Sequence, residues 1–239
     1  MKQPLKLQFE ASLDYQSRAV DSVVELFEGQ PTQQSLFTVT SWNEKGGQGF
    51  MFTDTGIGNR LELSHQQVLE NLQKVQLWND LPQSISMSEL DFDIEMETGT
   101  GKPYVYIKSM LELNRQYGFT KFIIVVPSIA IKEGVYKSLE ITREHFATLY
   151  DKLPYDYFVY DSSKLDQVRS FATADHLSIM IINIDAFRRS FTDKEKETKA
   201  NIIHRSHDRM QGMKPIQLIQ ETNPIVDLPP DPCASFRVS

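Results

Sequence analysis

Asp91–Tyr106 read DFDIEMETGTGKPYVY, and the fold follows from how this stretch is punctuated. Phe92, Ile94 and Met96 alternate with acidic residues, which reads as a buried strand. A tight turn, Gly99-Thr100-Gly101, comes next, and Lys102 opens a helix-like segment. Strand, glycine loop, lysine and helix in that order are what a phosphate-binding loop needs. Glycines let backbone N–H groups close around phosphate oxygens, because a Cβ would block the approach. The helix N-terminus adds partial positive charge and the lysine ammonium reaches the outer phosphates. The plainer alternative is a glycine turn ahead of any helix, and the strand in front favours the nucleotide site.

One departure from the pattern is serious. After Gly-Lys a phosphate loop carries Ser or Thr, whose hydroxyl binds Mg²⁺, and this chain has Pro103. Proline brings neither a hydroxyl nor a backbone N–H. It is tolerated in a helix's first turn, so the expected loss is in phosphate and metal binding rather than in the fold.

Working outward, 239 residues suffice for one large or two small domains. A formal net charge of −7 gives no global attraction to nucleic acid, so any such contact must be a local basic patch. The sole cysteine, Cys233, excludes an internal disulfide framework and fits a reducing cytosol. No apolar run reaches membrane-spanning length, and MKQPLKLQFE lacks the apolar centre of a signal peptide. The expected compartment is the cytoplasm.

Upstream of the loop, Ala19, Val20, Val23, Val24 and Phe27 recur at helical spacing, with Ser12 or Asp14 as the expected cap and Gly29 and Pro31 ending the helix. Gln16 sits in its first turn, beside Tyr15 and shortly after Phe9. A glutamine offers donor and acceptor together, which suits an adenine edge, and an aromatic ring stacks on a base; an exposed helical Gln is the default. Residues 36–63 read as a β-rich insertion, with Ser35–Thr40 and Gly49–Phe52 alternating around a glycine turn and Asp54–Asn59 as a further turn. Leu63–Leu81 reads as a helix.

Downstream, Val105–Tyr117 continues the helix to Gly118, and Phe122–Val126 is a continuous β-branched run, the mark of a strand covered on both faces. Ile129–Tyr150 reads as helix, Tyr155–Tyr160 and Ser178–Ile184 as strands, Asp193–Gln211 as a charged helix, Pro215–Glu221 as a short helix, and Asn223–Val226 as the start of a last strand. Alternating strands and helices mean an α/β domain with a mostly parallel sheet and helices on both faces. The glycine loop then lies at a strand's carboxyl end, where such sheets bind ligands.

LDYQSRAVDSVVELFEG, DFDIEMETGTGK, FIIVVPSIAIKEGV and IINIDAF, in that order, resemble the N-terminal motor core of the Res subunit of type III restriction–modification enzymes, within helicase superfamily 2. The resemblance runs from about Phe9 to Val226. It implies a RecA-like P-loop domain that uses ATP and Mg²⁺, works on double-stranded DNA beside a modification (methyltransferase) subunit, and belongs to a hydrolase and endonuclease. Met96 stands where the full loop pattern has Gly, a relaxation common in helicase-type loops. By this resemblance Thr98, Gly99, Thr100, Gly101 and Lys102 hold the ATP phosphates and Gln16 reads adenine. Ser128 and Lys132, within PSIAIKEGV, contact DNA phosphates; the alternative is a proline-stopped strand feeding an ordinary helix. Asn183 and Phe187 match a later motor motif more weakly, and His204, His207 and Asp208 receive no role.

The resemblance also marks a gap. Relatives are expected to follow NPIV with an Asp-Glu pair that holds Mg²⁺ and activates water. Here Val226 is followed by DLPPDPCASFRVS, with Asp227 but no Asp-Glu pair. The expected organisation is 1–90 for the adenine-side helix and insertion, 91–226 for the motor core, and 227–239 for an aberrant, disordered tail. The function expected is an ATP-binding motor domain, truncated and unable to hydrolyse ATP alone, with no intact catalytic or metal-binding set. The alternatives are a non-catalytic module that binds nucleotide, DNA or the methyltransferase, and a small-molecule kinase, against which the order of motifs argues.

Overall fold

The computed structural model describes residues 9–11, 13–45, 48–187, 202–205, 214–228 and 233–238. Its centre is β4, Lys121–Val126, buried at all six positions. Phe122, Ile124 and Val126 point into one apolar cluster while Ile123 and Val125 point into another. Each such side chain contributes roughly 1.5–3 kcal/mol of burial, so a strand apolar on both faces belongs in mid-sheet. Beside it run β6 (Leu177–Asn183) and then β5 (Tyr155–Val159), both parallel, and on its other side β7 (Ile225–Leu228), also parallel.

Helices cover both faces. The first cluster joins the sheet to α1 (Asp14–Glu25), α3 (Lys102–Tyr117) and α4 (Ile129–Leu149), with Val68 and Leu72 of α2 (His65–Trp78) against it. The second takes α5 (Leu165–Thr173) and α6 (Pro215–Glu221). The expected α/β architecture is present. α5 is an element the sequence reading passes over. No helix among the described residues is long and apolar enough to cross a membrane.

The loop-bearing strand β3, Asp91–Glu95, departs from expectation. Only Phe92 is buried, while Asp91, Asp93 and Glu95 are exposed. β3 is an edge strand of the order β3-β8-β7-β4-β6-β5, where β8 is Cys233–Val238. β8 runs antiparallel to both neighbours, opposing Phe236 to Phe92 and to Asp227, so β3 and β7 share one direction. Where the sequence reading expects a disordered tail, residues 233–238 therefore form a strand. Unpaired backbone groups on the edges of β7 and β3 need partners, and β8 supplies them to both.

The insertion is a single antiparallel hairpin of β1 (Gln34–Lys45) and β2 (Gln48–Asn59). Asp54–Asn59, expected as a turn, continues β2. Phe37 lies opposite Gly56 with its ring where any Cβ at position 56 would stand, so this glycine serves a close approach rather than a bend. Arg169 of α5 forms an ion pair with Asp54. Buried Asn59 then ties the hairpin to the sheet: its Oδ1 accepts from Thr120 N (2.8 Å) and Lys121 N (3.0 Å), and its Nδ2 donates to Lys121 O (2.8 Å).

The helix expected over 193–211 lies largely outside the described residues. Within it, Ile202–His204 makes one 3-10 turn.

Candidate nucleotide site

The loop leaves β3 at Glu95 and closes on itself at once. Thr100 Oγ1 donates to Glu97 O at 2.7 Å. Gly99 and Gly101 both have φ of +84°, the left-handed region that glycine enters without cost. Gly101 is the N-cap of α3, and its carbonyl accepts from Tyr104 N (2.9 Å) and Val105 N (3.1 Å). Lys102 is the first residue of the helix and Pro103 sits in its first turn. Thr98 and Gly99 are exposed, whereas Thr100, Gly101 and Lys102 are half-buried. The five residues assigned to phosphate thus lie on one continuous turn at a helix N-terminus, an arrangement that favours anions.

Gln16 joins this turn from the first turn of α1. It is 7% exposed, and its Nε2 donates to Thr100 O at 2.8 Å. A Cβ on residue 101 would come within 2.6 Å of that nitrogen, so Gly101 is needed for contact as well as for backbone angle. The cap of α1 differs from expectation. Leu13 is the N-cap with no side-chain hydrogen bond, Asp14 is already helical, and Ser12 lies outside the described residues. Of the aromatic rings near Gln16 in sequence, Tyr15 is exposed, while Phe9 packs on Tyr104 (6.2 Å between centroids) and His145 (5.2 Å). Tyr104 OH and His145 Nε2 are 2.9 Å apart, and burial, aided by the Lys108 charge, holds the imidazole pKa below its ordinary value. Lys108 in turn donates to Ala11 O at 3.0 Å, pinning the N-terminal segment across α3.

Ser128 and Lys132 occupy the same carboxyl edge of the sheet, at the end of β4. Ser128 is the N-cap of α4, its exposed side chain accepting from Ile131 N at 3.3 Å. Lys132 is half-buried one turn later, with Nζ 3.6 Å from Glu133 Oε1. At the end of β6, Asn183 Oδ1 accepts from Asp185 N at 2.8 Å, and His204 bonds the carbonyl of Phe187 at 3.1 Å. His207 and Asp208 lie outside the described residues.

Asp227 stands in register with Ile124 of β4 and Phe236 of β8, and it is 0% exposed. It shares a sheet face with Ile225, the face that α3 covers. Tyr106, one turn along α3 from Pro103, lies close by: its buried hydroxyl has no hydrogen-bond partner, and burial, then the Asp227 charge, push its pKa far up.

The profile of the family described as "Type III restriction enzyme, res subunit" matches residues 11–207. The chain belongs to this family. It is similar to the Res subunit of the type III restriction-modification enzyme EcoP15I of Escherichia coli, 30% identical over 182 residues, covering 67% of this chain and 19% of that one. It is 32% identical over 149 residues to the EcoPI Res subunit of Escherichia phage P1, covering 60% and 14%. Against the StyLTI Res subunit of Salmonella typhimurium it is 48% identical over 63 residues, covering 26% and 6%. The chain thus spans less than a fifth of the length of these relatives.

For a Res-family chain, the magnesium fit is poor. Pro103 offers no oxygen where a hydroxyl is needed, and Asp227 is sealed from solvent beneath α3. No group of three His, Cys, Asp or Glu residues among the described residues is arranged to hold a metal. The burial of Asp227 escapes the sequence reading, although its alternation with Ile225 along NPIVD carries the signal.

Proposed function

We propose that this chain is an ATP-binding motor domain of a type III restriction enzyme Res subunit, unable to hydrolyse ATP by itself. Thr98, Gly99, Thr100, Gly101 and Lys102 hold the phosphates, and Gln16 braces the loop and faces the adenine. Ser128 and Lys132 touch the backbone of double-stranded DNA, and the partner is the modification (methyltransferase) subunit, in the cytoplasm. The observation that carries the reading is the hydrogen bond from Gln16 to Thr100, which brings the N-terminal helix onto the phosphate loop.

Phosphoryl transfer depends on charges positioned around the transferring group. With Pro103 in place of the hydroxyl and no Asp-Glu pair after NPIV, the chain's own residues bind and orient but neither hold a metal nor activate water. The expectation is therefore saturable ATP binding, lost in Lys102→Ala, together with no phosphate release above background on prolonged incubation with ATP, Mg²⁺ and DNA. DNA-stimulated release would refute the loss of hydrolysis; absence of Lys102-dependent binding would refute the site.

The same two features favour a second reading, a non-catalytic module that occupies the methyltransferase. Co-purification with that subunit supports it, and failure to associate discards it.

A further inference from the structure

We propose that the phosphate loop of this chain takes its polyphosphate ligand without a magnesium ion. The inference rests on the nucleotide-binding reading above and deepens it.

Three observations carry it. The loop itself is formed: Gly99 and Gly101 are both left-handed, the Glu97–Thr100 turn is closed, and Gln16 braces the Thr100 carbonyl. The phosphate-cradling parts, backbone N–H groups, helix terminus and Lys102, are independent of a metal. Second, Pro103 occupies the position from which a hydroxyl would reach the ion, and its ring carries neither donor nor acceptor. Third, among the described residues the acidic residue at the end of β7 is Asp227, and it is 0% exposed between β4 and β8, close enough to Tyr106 for its charge to act on that hydroxyl. A carboxylate that binds magnesium through water needs room for that water. Closed beneath α3, Asp227 has no open path to a hydrated ion.

The cradle and the metal site are thus uncoupled. Proline fits a helix's first turn because its fixed φ suits that turn, so Pro103 preserves the cradle while deleting the ligand. A loop of this kind meets the ligand's charge with Lys102 and the helix terminus alone. Magnesium, which holds ATP in solution as a chelate of lower negative charge, then gives the complex nothing.

Isothermal titration of the chain with ATP, once in EDTA and once in excess Mg²⁺, decides the point. The expected result is binding in EDTA that Mg²⁺ leaves unchanged within about twofold or weakens. Binding that tightens several-fold with Mg²⁺ overturns the inference and leaves the nucleotide site standing. Binding in neither buffer overturns both. The same titration of Pro103→Thr assigns the cause: Mg²⁺ is expected to tighten ATP binding to this variant relative to EDTA. An unchanged response removes Pro103 as the reason.

Discussion

Gln16 Nε2 donates to the carbonyl of Thr100 at 2.8 Å, across 84 residues of chain. That bond fastens α1 to the glycine loop at the point where the loop enters α3. A carbonyl held this way turns its peptide plane, and the N–H of the next residue with it, into a fixed direction. The glutamine therefore acts on the loop's own shape.

Replacing Gln16 by Ala is expected to weaken inorganic tripolyphosphate by about fivefold, the effect of roughly 1 kcal/mol for one lost hydrogen bond, and ATP by at least as much. Gln16→Glu, which keeps the length but not the donor, should do the same. Titration calorimetry with both ligands reads the result. A variant that loses ATP but keeps tripolyphosphate at full affinity would show that the side chain only reads the base.

Two glycines of the loop share a φ of +84° but differ in surroundings. A Cβ at Gly99 meets nothing within 4 Å, whereas one at Gly101 meets Gln16 Nε2 at 2.6 Å. Alanine pays the left-handed backbone cost of roughly 1–2 kcal/mol at either site. Gly101→Ala must in addition push Gln16 away, so its loss of stability in urea unfolding should exceed that of Gly99→Ala by about 1 kcal/mol. Equal losses would mean that Gln16 yields without effort and does not constrain the loop.

How much of this was legible in the sequence depended on how local each signal is. The run Phe122–Val126 announces a central strand because both of its faces are apolar. The loop is readable because glycine, lysine and proline constrain backbone and chemistry in place. Asp54–Asn59 misleads for the opposite reason. Its glycines and threonines have turn composition, yet Phe37 packs over Gly56 and Asn59 bonds to Thr120 and Lys121, contacts made by distant residues. α5 does carry a signal, Leu165, Val168, Phe171 and Ala172 on one face, in a segment only nine residues long. The contact of Gln16 with Thr100 has no local trace at all. Nor does the strand β8, whose pairing depends on two edges that only the assembled sheet presents.

Lys121, at the start of β4, is fully buried with its ammonium against the carbonyl of Ala174 and 5.5 Å from the centre of the Phe171 ring. Burial lowers its pKa from 10.5 to about 8, with Asp175 pulling the other way. Folded-state depression of a base means that, between these values, the unfolded chain holds a proton the folded chain lacks. Unfolding free energy from this group therefore rises with pH across the window, and the destabilisation is greatest below pH 8. Tyr117, Tyr155 and Tyr160, each pushed up to about 12 by burial, act in the opposite sense only above their ordinary value of 10.0. Urea unfolding should thus show the wild type gaining roughly 1–2 kcal/mol between about pH 7.5 and 9.5 relative to Lys121→Met, which lacks the titrating group. Parallel pH profiles for the two proteins would show that the ammonium keeps its proton when buried, held by Ala174 O and Asp175.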